Sequence, residues 1–127
     1  VQGTKGARFH PELRLPKRVV VVSKGMDPDE DSYSAFQAVT PKGRDLESTL
    51  REMGVDELFI CGLATDYCVR ATSIDALKRG FQVRVLKDAV RGVDVKPGDS
   101  EAALREIKSI GVTFAETKRL AKTVPAR

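Results

Sequence analysis

The segment Leu58–Val69, LFICGLATDYCV, carries a cysteine off the end of an apolar run and into the start of a helix. Leu58, Phe59 and Ile60 follow charged residues, as expected of a central parallel strand. Gly62 ends that run, and Thr65 or Asp66 is placed to cap a helix reaching about Arg79, where Gly80 stops it. Val69, Ser73, Ala76 and Leu77 give this helix a small or apolar stripe. Cys68 then falls in the first turn, where unpaired N–H groups and the positive end of the helix dipole favour negative charge. A strand–turn–cysteine–helix joint of this kind is a nucleophile elbow with sulfur in place of oxygen.

The competing reading of any free cysteine is a small buried hydrophobe. Cys61, within the strand, is read that way. A phosphatase-type phosphate loop needs an arginine a fixed short distance beyond its cysteine. At that distance Cys68 meets Ile74 and Cys61 meets Tyr67. The two thiols form no disulfide framework, which points to a reducing compartment. His10 is the single histidine, so one copy of the chain cannot build a metal site from two or three of them. Before Pro11 it is expected to shape a loop.

Two further elements must place this cysteine. Arg18–Val22, RVVVV, is β-branched and reads as the first strand, with Lys24 directly after it. The polar stretch from Gly25 to Lys42 carries four acidic residues, Asp27, Asp29, Glu30 and Asp31, then Tyr33 and Phe36, and suits a binding loop over a site. Asp45–Met53 reads as a helix with Leu46, Leu50 and Met53 inward. Gln82–Leu86 reads as a strand, and Asp99 or Ser100 caps a helix to about Ile110. Gly111–Phe114 is a short last strand. Alternating strands and helices predict an α/β fold: a parallel β-sheet with helices on both faces, a Rossmann-like three-layer arrangement. Ligands bind such sheets at the carboxyl ends of the strands, where both Lys24 and Cys68 fall.

At 127 residues and 41% hydrophobic, the chain makes one domain, 1–127, with a basic tail from about 115 to 127. A net charge of +4 without an aromatic-interleaved basic stripe argues against nucleic-acid binding. No apolar run suggests a membrane span and no leader pattern a signal peptide, so a cytoplasmic protein is expected. The chain opens on Val1 with a loop that has nothing to connect, and an N-terminal portion is expected to be missing or supplied elsewhere.

Three stretches resemble the nicotinamidase/pyrazinamidase group of the isochorismatase-like cysteine hydrolases: VQGTKGARFHPEL at Val1–Leu13, SKGMDPDEDSYSAF at Ser23–Phe36 and GLATDYCVRATSIDA at Gly62–Ala76. Their order and register carry the resemblance from Val1 to about Phe114. It implies an isochorismatase-like fold, incomplete here at the N-terminus, and hydrolysis of nicotinamide or pyrazinamide through a cysteine thioester. Residue by residue, Cys68 corresponds to the nucleophile and Lys24 to the active-site lysine. The N–H groups of Ala64 and Cys68 correspond to the oxyanion hole, and the Leu63–Ala64 peptide to a cis, non-proline bond. Tyr67 and Tyr33 lie where the family shapes its ring pocket.

The resemblance also implies what this chain lacks. In the family the catalytic aspartate and an Asp/His set for a divalent metal (zinc, or iron or manganese) come before the position of Val1. No metal ligand is therefore assigned in this chain, no metal is expected to bind it alone, and little turnover is expected of it alone. The partner implied is a small carboxamide substrate, with no nucleic acid and no membrane. A homo-oligomer or a missing N-terminal segment is left open as a protein partner. Two alternatives stand beside the amidase reading: a related hydrolase for another small carboxamide, and a truncated, non-catalytic partner-binding half.

Overall fold

The structure is a computed structural model and describes residues 1–123. Its centre is a parallel sheet of β1 (Glu57–Leu63), β2 (Gln82–Arg91) and β3 (Thr113–Ala115), in that spatial order. Four helices accompany it: α1 (Leu46–Glu52), α2 (Arg70–Lys78), α3 (Asp99–Ser109) and α4 (Thr117–Thr123). A π-helical turn, Thr65–Val69, joins β1 to α2. The α/β class and the strands near 58 and 82 agree with the sequence reading, and the last strand lies slightly later than expected.

The winding follows from connectivity. The chain steps from β1 to β2 to β3 in one direction, and right-handed crossovers then put α2 and α3 on the same face. Along β1, Leu58 and Ile60 point toward that face and Phe59, Cys61 and Leu63 away from it. Val83 and Val85 of β2 meet Ala76 of α2 and Ile107 of α3 there, with Phe81, Val69 and Val112 closing the core. Phe59 and Arg84 lie on the opposite face, beside α4. Helices thus lie on both faces of the sheet, as the sequence reading expects, with α2 and α3 on one and α4 on the other.

Local chemistry fixes the element ends. The Asp45 carboxylate accepts the Ser48 N–H at 2.7 Å and so caps α1. Gly80, at φ 85, turns the chain from α2 into β2 in a conformation that other residues adopt at a cost. Arg70 at the start of α2 donates in a fork to Glu106 on α3, at 2.6 and 2.7 Å.

The fold corrects the sequence reading at Arg18–Val22, at Cys61 and at Met53, which is exposed and not inward on α1. Arg18–Val22 forms no strand, and Val19, Val20 and Val21 are exposed. Beyond it, Ser23 makes only an isolated antiparallel bridge to Val39. β-Branched composition favours a strand only where a ladder and a packed face are on offer, and no described strand pairs with this run. Cys61 is exposed, not buried, because the strand's alternation turns it toward the open face. The region from about 115 on begins with β3's end and α4. Its last four residues, 124–127, lie outside the described residues.

Two predictions follow from this packing. Ile107→Ala, at a fully buried site, is expected to cost about 2–4 kcal/mol in urea unfolding, while Val20→Ser stays within about 0.5 kcal/mol. An equal loss at Val20 would mean that the valine run is packed after all. The second concerns acid. Hydrogen bonds from Arg70, against a small opposing effect of burial, hold the Glu106 carboxyl below its ordinary value. A depressed carboxyl stabilises the fold above its unfolded-state value and loses that contribution as pH falls through the folded one. Melting temperature should therefore fall between about pH 5 and about pH 3, and Glu106→Gln should flatten part of that fall.

Candidate active site

The site is assembled from two segments that the sequence keeps far apart. Ser23 and Val39 exchange both backbone hydrogen bonds, at 2.8 and 3.0 Å, which closes the intervening loop on itself. Inside it, Ser34 and Gln37 form a capping box around the short turn Ala35–Gln37. That turn docks on α2, where the Ala35 N–H donates to Thr72 Oγ1 at 2.9 Å. Phe36 packs near Phe81, with ring centres 6.0 Å apart, and the Arg79 guanidinium lies over the Phe36 ring at 4.7 Å. So anchored, the loop sends Lys24 across to the cysteine: its Nζ donates to Cys68 Sγ at 3.2 Å and to the Ser32 carbonyl at 2.8 Å.

On the other side, the turn that carries Cys68 departs from a plain α-helical start. The Leu63–Ala64 peptide is cis. The Ala64 carbonyl accepts the N–H groups of Tyr67 at 3.1 Å and Val69 at 3.0 Å, and the second spacing is that of a π-turn. Thr65 and Val69 are buried, and Ser73 Oγ donates to the Val69 carbonyl at 2.7 Å, fixing the turn on the body of α2. Tyr33 and Tyr67, the two expected pocket aromatics, stand together with ring centres 5.5 Å apart and planes at 43°.

Asp66 does not cap the helix, as the sequence suggested. Its two carboxylate oxygens accept the backbone N–H groups of Val93 at 2.9 Å and Asp94 at 2.8 Å, in the loop after β2. Burial opposes its charge, but these hydrogen bonds outweigh that and hold its carboxyl below the ordinary value. The same loop needs Gly92, since a Cβ there would lie 1.6 Å from Ser100 Oγ. Sequence reasoning missed this loop and the Thr72 and Ser32 contacts. The available signal was the run Arg91-Gly92-Val93-Asp94 directly after a strand, at the edge where ligands bind.

His10 Nδ1 accepts the Glu12 N–H at 3.2 Å, a loop-shaping role. Among the described residues no three of His, Cys, Asp and Glu come together to hold a metal ion. The residues present therefore do not fit the divalent metal that the resemblance implies. The cavity beside Lys24, about 170 Å³, is bounded by Ser32, Gln37 and Val39. A larger one of about 370 Å³ lies across the sheet against Phe59 and Arg84, where neither Lys24 nor Cys68 lines it.

Known proteins share this chain's sequence and fold. A family model, the isochorismatase domain, matches residues 1–119. The nicotinamidase of Escherichia coli (strain K12) is 44% identical over 118 residues, covering 90% of this chain and 54% of that protein. The nicotinamidase/pyrazinamidase of Mycobacterium tuberculosis is 41% identical over 112 residues, covering 88% and 58%. Among solved structures, the pyrazinamidase of Pyrococcus horikoshii in complex with zinc superposes with a TM-score of 0.78 at 48% identity, over 91% of this chain and 59% of that one. The chain thus spans a little over half the length of the relatives it matches. With the family model running over nearly all of it and the strand–turn–helix joint in place, the chain belongs to the isochorismatase family.

Proposed function

We propose that this chain carries the nucleophile side of a cysteine amidohydrolase acting on nicotinamide and pyrazinamide, releasing nicotinate or pyrazinoate and ammonia. The observation that carries the reading is the Lys24 ammonium 3.2 Å from Cys68 Sγ, at a strand–turn–helix joint. Its similarity to nicotinamidases over about nine-tenths of its own length supports the substrate class.

In this mechanism Cys68 Sγ, as thiolate, attacks the carboxamide carbon and the carbonyl π-pair moves onto oxygen. The N–H groups of Ala64 and Cys68 receive that oxyanion, and preorganised donors of this kind are commonly worth a few kcal/mol. Lys24, held by the Ser32 carbonyl, balances the charge on sulfur before attack. Tyr33 and Tyr67 offer aromatic faces to the heterocycle. Collapse re-forms the carbonyl, breaks the C–N bond and releases ammonia, which requires a proton on the departing nitrogen. Water then attacks the thioester, and Cys68 leaves as thiolate. Asp66 does not supply the proton, because both of its oxygens are engaged by Val93 and Asp94. The acid–base step is therefore left to a residue other than Asp66, and the nicotinamidase of Escherichia coli, of which this chain covers 54%, has further length in which such a group can lie. No helix among the described residues is long and apolar enough to cross a membrane.

Ammonia release from nicotinamide tests the reading directly. The chain alone should show negligible turnover, and the chain joined to the N-terminal part of a nicotinamidase should be active. In the joined protein Cys68→Ala should lower kcat at least about a thousandfold. Lys24→Met should lower it by about a hundredfold, with a smaller change in KM. Full activity of the Cys68 variant would remove the nucleophile assignment. Full activity of the unjoined chain would show that its own residues supply the missing proton.

A further inference from the structure

The loop after β2 and the turn before α2 are joined by a single side chain, and nothing in the reaction above uses it. We propose that Asp66 is a positioning residue: its carboxylate staples the 92–98 loop to the turn that carries Cys68 and thereby holds the sulfur and its neighbouring N–H groups in place. The proposal deepens the amidase reading and rests on it for its catalytic meaning.

Five observations support the staple. Each oxygen of Asp66 takes a different backbone N–H, Oδ1 from Val93 at 2.9 Å and Oδ2 from Asp94 at 2.8 Å, so the carboxylate is engaged on both sides. The loop is tied onward to α3: Asp94 Oδ1 accepts the Ser100 N–H at 2.7 Å, and Asp99 Oδ2 accepts the Lys96 N–H at 2.9 Å. Asp94 sits at φ 52, a left-handed conformation uncommon for a residue with a side chain, and these contacts hold it there. Gly92 leaves the room in which the loop can lie down, its hypothetical Cβ falling 1.6 Å from Ser100 Oγ and 3.3 Å from Asp66 Oδ1. The Arg70–Glu106 fork joins α3 back to α2. Turn, loop and α3 therefore form a closed ring of contacts, in which Asp66 lies on the same turn as Cys68.

An asparagine at this position has one acceptor oxygen and one NH2 group. Whichever way it is turned, one of the two backbone N–H groups faces another donor. The loss is that of a hydrogen bond to a charged group, on the order of tenfold in an equilibrium.

The test uses the chain as it is, with Cys61, exposed on β1, as an internal reference. Iodoacetamide labelling near neutral pH is followed by peptide mapping, and backbone amide exchange is measured in parallel. Asp66→Asn should slow labelling of Cys68 relative to Cys61 by about tenfold and speed exchange at Thr65–Val69, with the β2 amides still protected. Gly92→Ala, which lifts the loop from the other side, should do the same. Adding Ser100→Gly to Gly92→Ala removes the obstructing atoms and should restore both readouts. A wild-type labelling ratio and wild-type exchange in folded Asp66→Asn would overturn the proposal. If that variant loses β2 protection, the Gly92→Ala and Gly92→Ala/Ser100→Gly pair decides: no change, or no restoration, would overturn it equally. Labelling needs no substrate, so a failed amidase reading, seen as absent ammonia release in the joined protein, is distinguishable from a failed staple.

Discussion

A lysine ammonium can rest 3.2 Å from a cysteine sulfur placed 44 residues later only if both backbones are held against motion of that order. Chain entropy works against this contact, since each ordered residue costs roughly 1–2 kcal/mol. The lysine loop meets the cost with the Ser23–Val39 bridge, the Ser34 capping box and the Ala35–Thr72 hydrogen bond. The cysteine turn meets it with buried Thr65 and Val69 and with the Ser73 hydroxyl. Remove either set and the two side chains remain in the sequence, but nothing brings them together.

The anchors that join the two segments to the body of the fold meet on α2. It receives the lysine loop through Thr72, ends the cysteine turn at Val69, and reaches α3 through Arg70. Its own burial is modest in area but placed at the centre: Ala76 is fully covered between the sheet and its neighbours, where a larger side chain would push helix and strand apart. Right-handed winding from β1 to β2 obliges this helix to lie on the face shared with α3. The site is thus a consequence of sheet handedness as much as of local turn chemistry.

Much of this was legible in the residues. The apolar run at Leu58–Ile60, the glycine at Gly62 and the stripe along α2 fix a strand–turn–helix joint, and the motif at Ser23–Phe36 names the lysine. What was not legible depends on partners. RVVVV at Arg18–Val22 has strand composition, but a strand is a relation between two segments, and no described strand pairs with it. Cys61 was misread for a similar reason, since a strand is buried on both faces only if something covers both. Asp66 was misread because Asp at a helix start is usually a cap, and only the tertiary position of Val93 and Asp94 offers it better donors.

The open edge of β1 and the exposed valines lead to the last step. Phe59 and Leu63 on β1 are exposed, as are Val19, Val20 and Val21, while the Lys24–Cys68 contact lies at the carboxyl end of both segments. The contact persists although no ladder is formed between the two runs, because a side-chain contact does not need the backbone spacing that ladder hydrogen bonds require. Beside that contact, the one acidic residue on the turn, Asp66, has both oxygens engaged by the N–H groups of Val93 and Asp94, so its charge serves to hold the turn against the loop.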